Sequence, residues 1–308
     1  MDRINLALDW TPNINHIGFF VAKDKGFYSE SEIDLHISDP SFDDYSITPA
    51  KKVELGIADF ALCPTESIIS YQTKKKTFKL VAVSAILQTD LSAIVVSSNS
   101  DIHSPKDLDG KTYASYEARY EDEIVKQMII NDGGKGDIQL HYPKKLGIWD
   151  TLTSGKFDST WIFVNWEGVE AEQKSIDLRY FKMEDFQIPY SYSPMLVTDE
   201  PNLRNREDAY RKFIEATKRG FLHAVDHADE SCEILRRYLP EKDKSFDLKR
   251  CLELSAPAFG KESNWGVISE QKMKNFLGWI YEKNLESKKL NVRDLFTNSL
   301  LTSPTLND

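Results

Sequence analysis

The feature that most constrains this sequence is a regular alternation of short apolar strands with helices. The stretch "INLALDW" has strand-like alternation and stops at a Thr-Pro turn. A short helix follows to Lys25-Gly26, with Gly26 as the residue after its C-cap, and "DLHIS" predicts the second strand. Strands that alternate with helices favour parallel pairing with helices on the sheet faces. The sequence therefore predicts an α/β fold with largely parallel sheets.

A second alternating block predicts two lobes. It runs from the strand "SAIVVSS" to "SPMLVT", and from Asn205 onward the chain is mostly amphipathic helix. A length of 308 residues suits two packed lobes. We expect residues 1–90 to form the first part of lobe 1, residues 91–197 to form lobe 2, and residues 198–308 to return to lobe 1. Only the tail "TSPTLND" has a composition typical of disorder.

Composition excludes several classes of function. A formal net charge of −10 argues against binding to a nucleic-acid backbone. No apolar run approaches the roughly 20 residues of a membrane-spanning helix, and the start "MDRINLALDW" does not resemble a secretory signal. The sequence as written predicts a cytoplasmic protein, or a periplasmic or extracellular one if an export signal has been removed. The spacing of Cys63, Cys232 and Cys251 indicates neither a disulfide framework nor a zinc site.

Polar residues follow the first predicted strand. Asp9 and Trp10 suggest a carboxylate beside a stacking ring, although a buried Trp next to a turn Asp is the plainer interpretation. Asn13 and His16 come directly after them. His16 has no second His or Cys at metal spacing, so we expect it either to hydrogen-bond a ligand near Asp9 or to pack inside the protein.

The motif "CPTES" brings Cys63, Thr65 and Glu66 to the start of a helix. Free backbone N–H groups there favour anions and lower the pKa of a thiol. A capping role for Thr65 explains part of the motif equally well. No base for nucleophilic catalysis is evident beside Cys63.

The second block supplies four candidates at another helix start: Ser115, Tyr116, Glu117 and Arg119. Arg119 could bind a phosphate or carboxylate through two hydrogen bonds. It could equally pair with Asp122 or Glu123 on the helix surface.

Aromatic and polar residues after a later strand suggest a small-molecule pocket. They are Trp161, Asn165, Trp166, Glu167, Tyr190 and Tyr192. One face of the strand around Trp161 must pack in the core. Because open α/β sheets bind ligands beyond the carboxyl ends of their strands, we expect all these candidates to line a ligand cleft between the lobes.

Five motifs resemble a known family over most of the chain. They are "LDWTPNINHIGFFVAKDKGFY", "ELGIADFAL", "SPKDLDGKTYASY", "TSGKFDSTWIF" and "YFKMEDFQIPYSYSPMLVT". The family is the periplasmic-binding-protein-like group of type II fold that contains bacterial formylaminopyrimidine-binding proteins and fungal thiamine-pyrimidine synthases. The resemblance implies a two-lobed protein that closes on a methyl-aminopyrimidine or a relative, with Trp10 forming the pocket and His16 close by.

The chain departs from both branches of this family. The resemblance puts the synthases' pyridoxal phosphate lysine at Cys63 and their catalytic histidine at Ser67. The synthases' cysteine run falls on "PYSYSP", which has no cysteine, and their glycine-rich phosphate loop falls on "SYEARY", which has no glycine. The glutamate of the binding proteins falls on Ser193. We therefore expect no catalytic residue, no cofactor and no metal.

Three functions remain open from the sequence. The first is a non-catalytic binding protein for an aminopyrimidine thiamine precursor or a similar heteroaromatic, which feeds an ABC importer or acts in the cytosol. The second is a cytosolic synthase-like enzyme that depends on pyridoxal phosphate and iron and has an altered active site. The third is a sulfonate-type anion-binding protein anchored by Arg119 and helix N-termini. None of the three involves nucleic acid or insertion into a membrane.

Overall fold

The computed structural model describes residues 1–301, so the tail from residue 302 lies outside the described part of the chain. The chain divides into two compact units. Unit 1 comprises Met1–Thr89, Tyr192–Met273 and the described residues from Lys288 onward. Unit 2 comprises Asp90–Ser191 and Lys274–Ser287.

Strands and helices mostly alternate up to Asp199, and a run of helices follows in the rest of residues 1–301. Short 3-10 turns lie between some of these elements. The strands are β1 Asp2–Ala7, β2 Ile33–Ser38, β3 Phe60–Cys63, β4 Leu80–Ala85, β5 Ser92–Ser97, β6 Thr112–Ala114, β7 Gln139–His141, β8 Ser159–Phe163, β9 Leu178–Phe181 and β10 Met195–Asp199. The α-helices are α1 Ile17–Asp24, α2 Phe27–Glu30, α3 Pro49–Glu54, α4 Thr65–Thr73, α5 Glu121–Asn131, α6 Ile148–Thr153, α7 Glu167–Gln173, α8 Glu200–Asn205, α9 Glu207–Asp226, α10 Ala228–Arg236, α11 Leu248–Phe259 and α12 Glu270–Glu282. No helix in residues 1–301 combines the length and the apolar character that crossing a bilayer requires.

Unit 1 is built on a five-stranded sheet of order β2-β1-β3-β10-β4. β1 is parallel to both neighbours, and Ala7 pairs with Ala61 of β3. β10 returns antiparallel between β3 and β4. The edge strand β2 alternates buried Ile33 and Leu35 with polar side chains, while β3 and β10 are buried throughout. The hydrophobic pattern therefore follows each strand's place in the sheet.

The other edge strand of this sheet, β4, is also fully buried. Chain segments from the C-terminal region cover its edge. The amide of Ala82 donates to Leu295 O at 2.9 Å, and the amide of Ala85 donates to Gly266 O at 2.9 Å. These bonds satisfy backbone groups that an uncovered edge would leave open to pairing with another chain.

Unit 2 has a sheet of order β7-β6-β8-β5-β9, in which β5 is antiparallel to β8 and to β9. One face carries a core of apolar side chains: Ala93, Val95, Trp149, Leu152, Ile162 and Ala171. The two sheets with their flanking helices confirm the predicted α/β class. The expectation of largely parallel sheets is wrong, because each sheet has two parallel and two antiparallel pairings.

The structure differs from the sequence prediction at two local points. Strand β9, with the sequence LRYF, was not predicted. It is a short edge strand that carries Arg179, whose guanidinium donates to the carbonyl oxygens of Ser98 and Ile102. Such a strand lacks the apolar alternation that a sequence pattern requires. The second difference concerns Thr65, which is the first residue of α4 and not its N-cap, because Pro64 holds that position.

A close approach of α1 and α9 gives the first testable prediction. A Cβ atom on Gly220 would stand 2.1 Å from Gly18 O and 2.7 Å from Ala22 Cβ. Because the obstacle is backbone, we expect Gly220→Ala to lower the free energy of unfolding by about 1–3 kcal/mol, as measured by urea denaturation.

Gly278 of α12 is the matched control. A Cβ there meets nothing within 4 Å, so Gly278→Ala should raise the free energy of unfolding by about 0.5–1 kcal/mol. Equal stability of Gly220→Ala and the wild-type protein would contradict this packing.

Candidate functional site

The carboxyl ends of β1 and β3 bring several candidate residues of unit 1 together. Ala7 pairs with Ala61 in a parallel register. Asp9 follows the end of β1 and Cys63 is the last residue of β3, so both lie towards the carboxyl ends of these two strands. The electrostatics agree, because the negative charge of Asp9 is among the influences that raise the pKa of the Cys63 thiol.

His16 holds the Asp9 carboxylate in a fixed direction. His16 is fully buried, and its Nε2 lies 2.7 Å from Asp9 Oδ1. Its other ring nitrogen, Nδ1, accepts from the Asn13 amide at 3.3 Å. An Nδ1 that accepts carries no proton, so the proton is on Nε2 and is donated to Asp9. The Asp9 side chain remains 20% exposed, so a solute can reach it.

Asn13 stabilises the backbone turn that carries His16. Its side-chain Oδ1 accepts from the Asn15 amide at 2.9 Å, and its Nδ2 donates to Thr11 O at 3.1 Å. Asn13 thereby caps the 3-10 turn that carries His16. Both polar groups of the Asn13 side chain therefore hydrogen-bond within the turn.

Two half-buried aromatic rings lie beside the carboxylate. The ring centroids of Trp10 and Tyr45 are 5.9 Å apart, with their planes tilted by 55°. Burial raises the pKa of Tyr45, and the nearby carboxylate of Asp9 raises it further. Tyr45 therefore belongs to the same cluster, and we call Asp9, Trp10, His16, Tyr45 and Cys63 the unit 1 cluster.

Cys63 has the character of a structural thiol. It is 3% exposed, and burial raises its pKa although Ser67 hydrogen-bonds to it. The hypothesis of a lowered pKa at the start of α4 is wrong, because desolvation of the thiolate outweighs the helix terminus. Glu66 beside it is also buried.

Thr65 and Tyr192 hold two segments of unit 1 together. The Thr65 hydroxyl donates to Tyr192 O at 3.0 Å and accepts from the Tyr192 amide at 3.1 Å. The Tyr192 hydroxyl in turn accepts from the Ser269 amide at 3.0 Å. Tyr192 and Thr65 therefore fix the start of the return strand.

In unit 2, the loop after β6 folds around a buried carboxylate. Glu121, the first residue of α5, is 3% exposed. Its Oε1 accepts from the Tyr113 hydroxyl at 2.7 Å and from the Tyr116 amide at 3.0 Å. Its Oε2 accepts from the Ala118 amide at 3.0 Å. Ser115 completes the loop, because its hydroxyl oxygen accepts from the Glu117 amide at 3.0 Å.

Arg119 pairs with a residue that the sequence analysis did not name. Its Nη2 lies 2.6 Å from Glu286 Oε2, and the Tyr120 hydroxyl donates to the same oxygen at 3.1 Å. The acid of this ion pair is Glu286, which lies far from Arg119 in sequence.

Five further candidates belong to unit 2: Trp161 and Tyr190 are neighbouring rings, and Asn165, Trp166 and Glu167 follow β8. Trp161 lies on the face of β8 opposite the buried Ile162, and its ring centroid is 5.3 Å from that of Tyr190. Asn165 and Trp166 are buried. Glu167 accepts from the Phe163 amide at 3.0 Å and so closes the turn between β8 and α7.

Sequence reasoning missed three residues of these clusters. Tyr45 follows the end of β2 in the polar stretch "SDPSFDDYS", where an aromatic residue after a strand was the available signal. In the sequence, Glu121 looks like an ordinary acidic residue in the first turn of a helix. Glu286 is 166 residues from Tyr120, so no local pattern connects the two.

Residues 1–301 contain no group of three or more His, Cys, Asp or Glu side chains that could hold a metal ion. The positions matching the synthases' pyridoxal phosphate site also do not fit that cofactor. Cys63 is a buried thiol and cannot form an imine with an aldehyde. The amides of Tyr116 and Ala118, in the stretch that matches the phosphate loop, already donate to Glu121.

Comparison with known structures defines the class. The fold matches the alkanesulfonate-binding protein SsuA from Xanthomonas axonopodis pv. citri with a TM-score of 0.73 at 13% identity, over 96% of this chain and 98% of that one. The chain therefore has the periplasmic-binding-protein fold. More particularly, residues 13–231 match the family described as NMT1/THI5 like, and the protein belongs to that family.

Two curated relatives are similar in sequence. The formylaminopyrimidine-binding protein of Halalkalibacterium halodurans is 24% identical over 242 residues, which cover 76% of this chain and 70% of the relative. The 4-amino-5-hydroxymethyl-2-methylpyrimidine phosphate synthase of Legionella pneumophila is also 24% identical over 242 residues, which cover 78% of this chain and 74% of the relative. One of these relatives is named as a binding protein and the other as an enzyme.

Burial of the cysteines leads to a second prediction. Cys63, Cys232 and Cys251 are all at most 3% exposed, and burial raises the pKa of Cys232 to about 11. At mildly alkaline pH the folded protein should react with a thiol reagent at least about a hundredfold more slowly than the unfolded protein. Three thiols should react after unfolding, and two in a Cys63→Ser control. Rapid labelling of Cys63 in the folded protein, located by mass spectrometry, would contradict the conclusion that Cys63 is a buried structural thiol.

Proposed function

We propose that this protein binds a small aminopyrimidine, a thiamine precursor or a similar heteroaromatic, without transforming it. The observation that carries the proposal is the Asp9 carboxylate, which the His16 ring orients beside the half-buried rings of Trp10 and Tyr45. Membership of a family that contains a formylaminopyrimidine-binding protein supports the same ligand class.

The chemistry of the unit 1 cluster suits such a ring. His16 Nε2–H donates to Asp9 Oδ1, so the Asp9 carboxyl still has an oxygen that can accept a hydrogen bond from a ligand. An exocyclic amine of a pyrimidine is a donor that matches this carboxylate. The flat faces of Trp10 or Tyr45 offer stacking surface for the ring.

The residues at the two positions that the resemblance matches to the synthases' lysine and histidine favour a binding role over the synthase reaction. Cys63 is a buried thiol of raised pKa, and Ser67 takes the place of an imidazole. Neither side chain supplies a general base near neutral pH. We propose delivery to an importer as the physiological role, in line with the binding proteins of this fold, and an extracytoplasmic location would follow from it.

Calorimetry with 4-amino-5-hydroxymethyl-2-methylpyrimidine tests the proposal. Trp10→Ala should lose about 1–3 kcal/mol of binding free energy, the scale of a buried stacking aromatic. Asp9→Asn should bind at least about tenfold more weakly, because it removes a charged acceptor. Both variants should keep the circular dichroism spectrum of the wild-type protein.

Asp101→Asn is the control for loss of one negative charge. Its side chain is 78% exposed and pairs with Lys111, so binding should not change. Unchanged affinity in Trp10→Ala and Asp9→Asn would remove the unit 1 cluster from the binding site. Stabilisation of the wild-type protein by an alkanesulfonate and not by the pyrimidine would favour an anion-binding function instead.

A further inference from the structure

Unit 2 has a surface groove of about 640 Å³. One wall is the face of α12 that carries Asn275, Gly278, Trp279 and Glu282, whose spacing of three and four residues places them on one side of the helix. The other wall is formed by residues 184–189, which follow β9. Both walls belong to unit 2, so the whole groove lies within one compact unit.

Hydrogen bonds fix the wall formed by residues 184–189. The Ile188 amide donates to Met183 O at 3.0 Å. Asn131 Nδ2 of α5 donates to Phe186 O at 2.7 Å and so ties this segment to a neighbouring helix. The groove is therefore preformed in the folded chain, as ligand-binding surfaces usually are.

Gly278 leaves the backbone of α12 uncovered at the groove. It is exposed, and a Cβ atom at this position would meet nothing within 4 Å. No close contact within the described residues therefore requires glycine here, although glycine inside a helix is less stable than alanine. Glycine is favoured where another molecule approaches the backbone closely. Gly278 thus gives an occupant of the groove direct access to the helix backbone.

Trp279 gives the groove a hydrogen-bond donor that the chain does not use. Trp279 is 7% exposed, and its indole N–H has no acceptor within residues 1–301. Its ring is nearly parallel to that of Phe276, with the centroids 6.1 Å apart, so the ring is held in place. A buried N–H without an acceptor is destabilising. An occupant that brings a carbonyl oxygen to this ring would supply the missing acceptor.

Two carboxylates make the groove negative. Glu184 and Glu282 line its two walls and are exposed, and neither forms an ion pair within the described part of the chain. None of the described residues that line the groove is basic. Ile188 and Pro189 add apolar surface. The groove therefore combines negative charge, apolar surface and one N–H donor.

These three properties together favour one class of occupant. Phosphates and nucleic acids carry the same sign of charge as the groove. A metal ion or a polyamine has no acceptor for the Trp279 N–H. An arginine or lysine residue within a peptide has a cationic head, an apolar stem and a backbone carbonyl, and so matches all three properties.

We propose that this groove is a docking site for an exposed basic segment of another protein. The cationic head of an arginine or lysine residue in that segment pairs with Glu184 and Glu282, and a carbonyl of the segment accepts from the Trp279 indole. The backbone of the segment passes over Gly278. The groove contains no residue of the unit 1 cluster, so this proposal goes beyond the proposed function and does not depend on the identity of the small ligand.

A blocked pentapeptide with a central arginine between two leucines is the first probe. By calorimetry it should bind at least about tenfold more tightly than the same peptide with citrulline, the uncharged isostere of arginine. In heteronuclear NMR spectra, the indole N–H resonance that is missing from Trp279→Phe should shift when the wild-type protein binds the arginine peptide. Equal binding of the two peptides, no binding, or an unmoved Trp279 resonance would overturn the proposal.

Two variants test the charge and the shape of the groove. Glu282→Gln should reduce the preference for arginine over citrulline about three- to tenfold, because it removes one negative charge. Gly278→Leu should weaken binding of the arginine peptide at least about tenfold, because its side chain fills the groove. This variant should fold, since a Cβ at position 278 meets no other atom within 4 Å.

Glu123→Gln is the matched control for the loss of a charge in unit 2. Glu123 is an exposed acid of α5 that pairs with Lys126, so its substitution should leave the affinity for the arginine peptide unchanged. Gly278→Ala should weaken binding less than Gly278→Leu, because its side chain is smaller. Wild-type affinity for the arginine peptide in a folded Gly278→Leu would count decisively against docking at the groove.

Two further measurements distinguish other occupants. Spermidine is the probe for a free organic cation. If it binds as tightly as the arginine peptide and loses affinity in Glu282→Gln, the groove is a small-molecule site and the proposal fails. Analytical ultracentrifugation tests a second copy of this chain as the occupant. Self-association of the wild-type protein that Gly278→Leu abolishes would assign the groove to a contact between copies and would also overturn the proposal.

Discussion

The parallel pairing of β1 with β3 is the constraint on which the unit 1 cluster depends. The register of Ala7 with Ala61 ends both strands at the same sheet edge, where side chains leave the apolar core. Asp9 and Cys63 both lie near that edge, and the charge of Asp9 acts on the Cys63 thiol although 54 residues separate them in sequence. The return strand β10 runs antiparallel beside β3, and Thr65 fixes its start through the backbone of Tyr192. A shift of this register would separate the residues that we propose to bind the ligand.

Both clusters surround a poorly hydrated carboxyl group with hydrogen-bond donors. Asp9 has one buried donor, the His16 ring, and remains partly exposed. Glu121 is buried and takes three donors from its own loop. Charged groups leave water only where donors compensate the lost hydration. The difference in exposure leaves Asp9 open to a ligand, whereas the donors around Glu121 are already used.

Several parts of the fold follow directly from sequence patterns. Apolar runs bounded by turn residues located β1, β2, β5 and β10. Side-chain partners were less predictable. Thr65 looked like a cap because of its place before a helix, yet its hydroxyl binds the backbone of Tyr192. Arg119 had two acidic neighbours in sequence, but its partner is Glu286. Local spacing cannot reveal a partner that the chain brings back from far away.

The sequence by itself determined the α/β class and the family resemblance, and it supplied the prediction that Asp9 and Trp10 bind a ligand. These depend on local periodicity and on short motifs, which the chain carries before it folds. The tertiary structure alone decided that Tyr45 joins Asp9 and Trp10, that the pKa of Cys63 is raised, and that Glu121 fills the loop after β6. Each of these depends on burial and on contacts between segments, because desolvation and hydrogen bonding act on distances in space and not on positions along the chain.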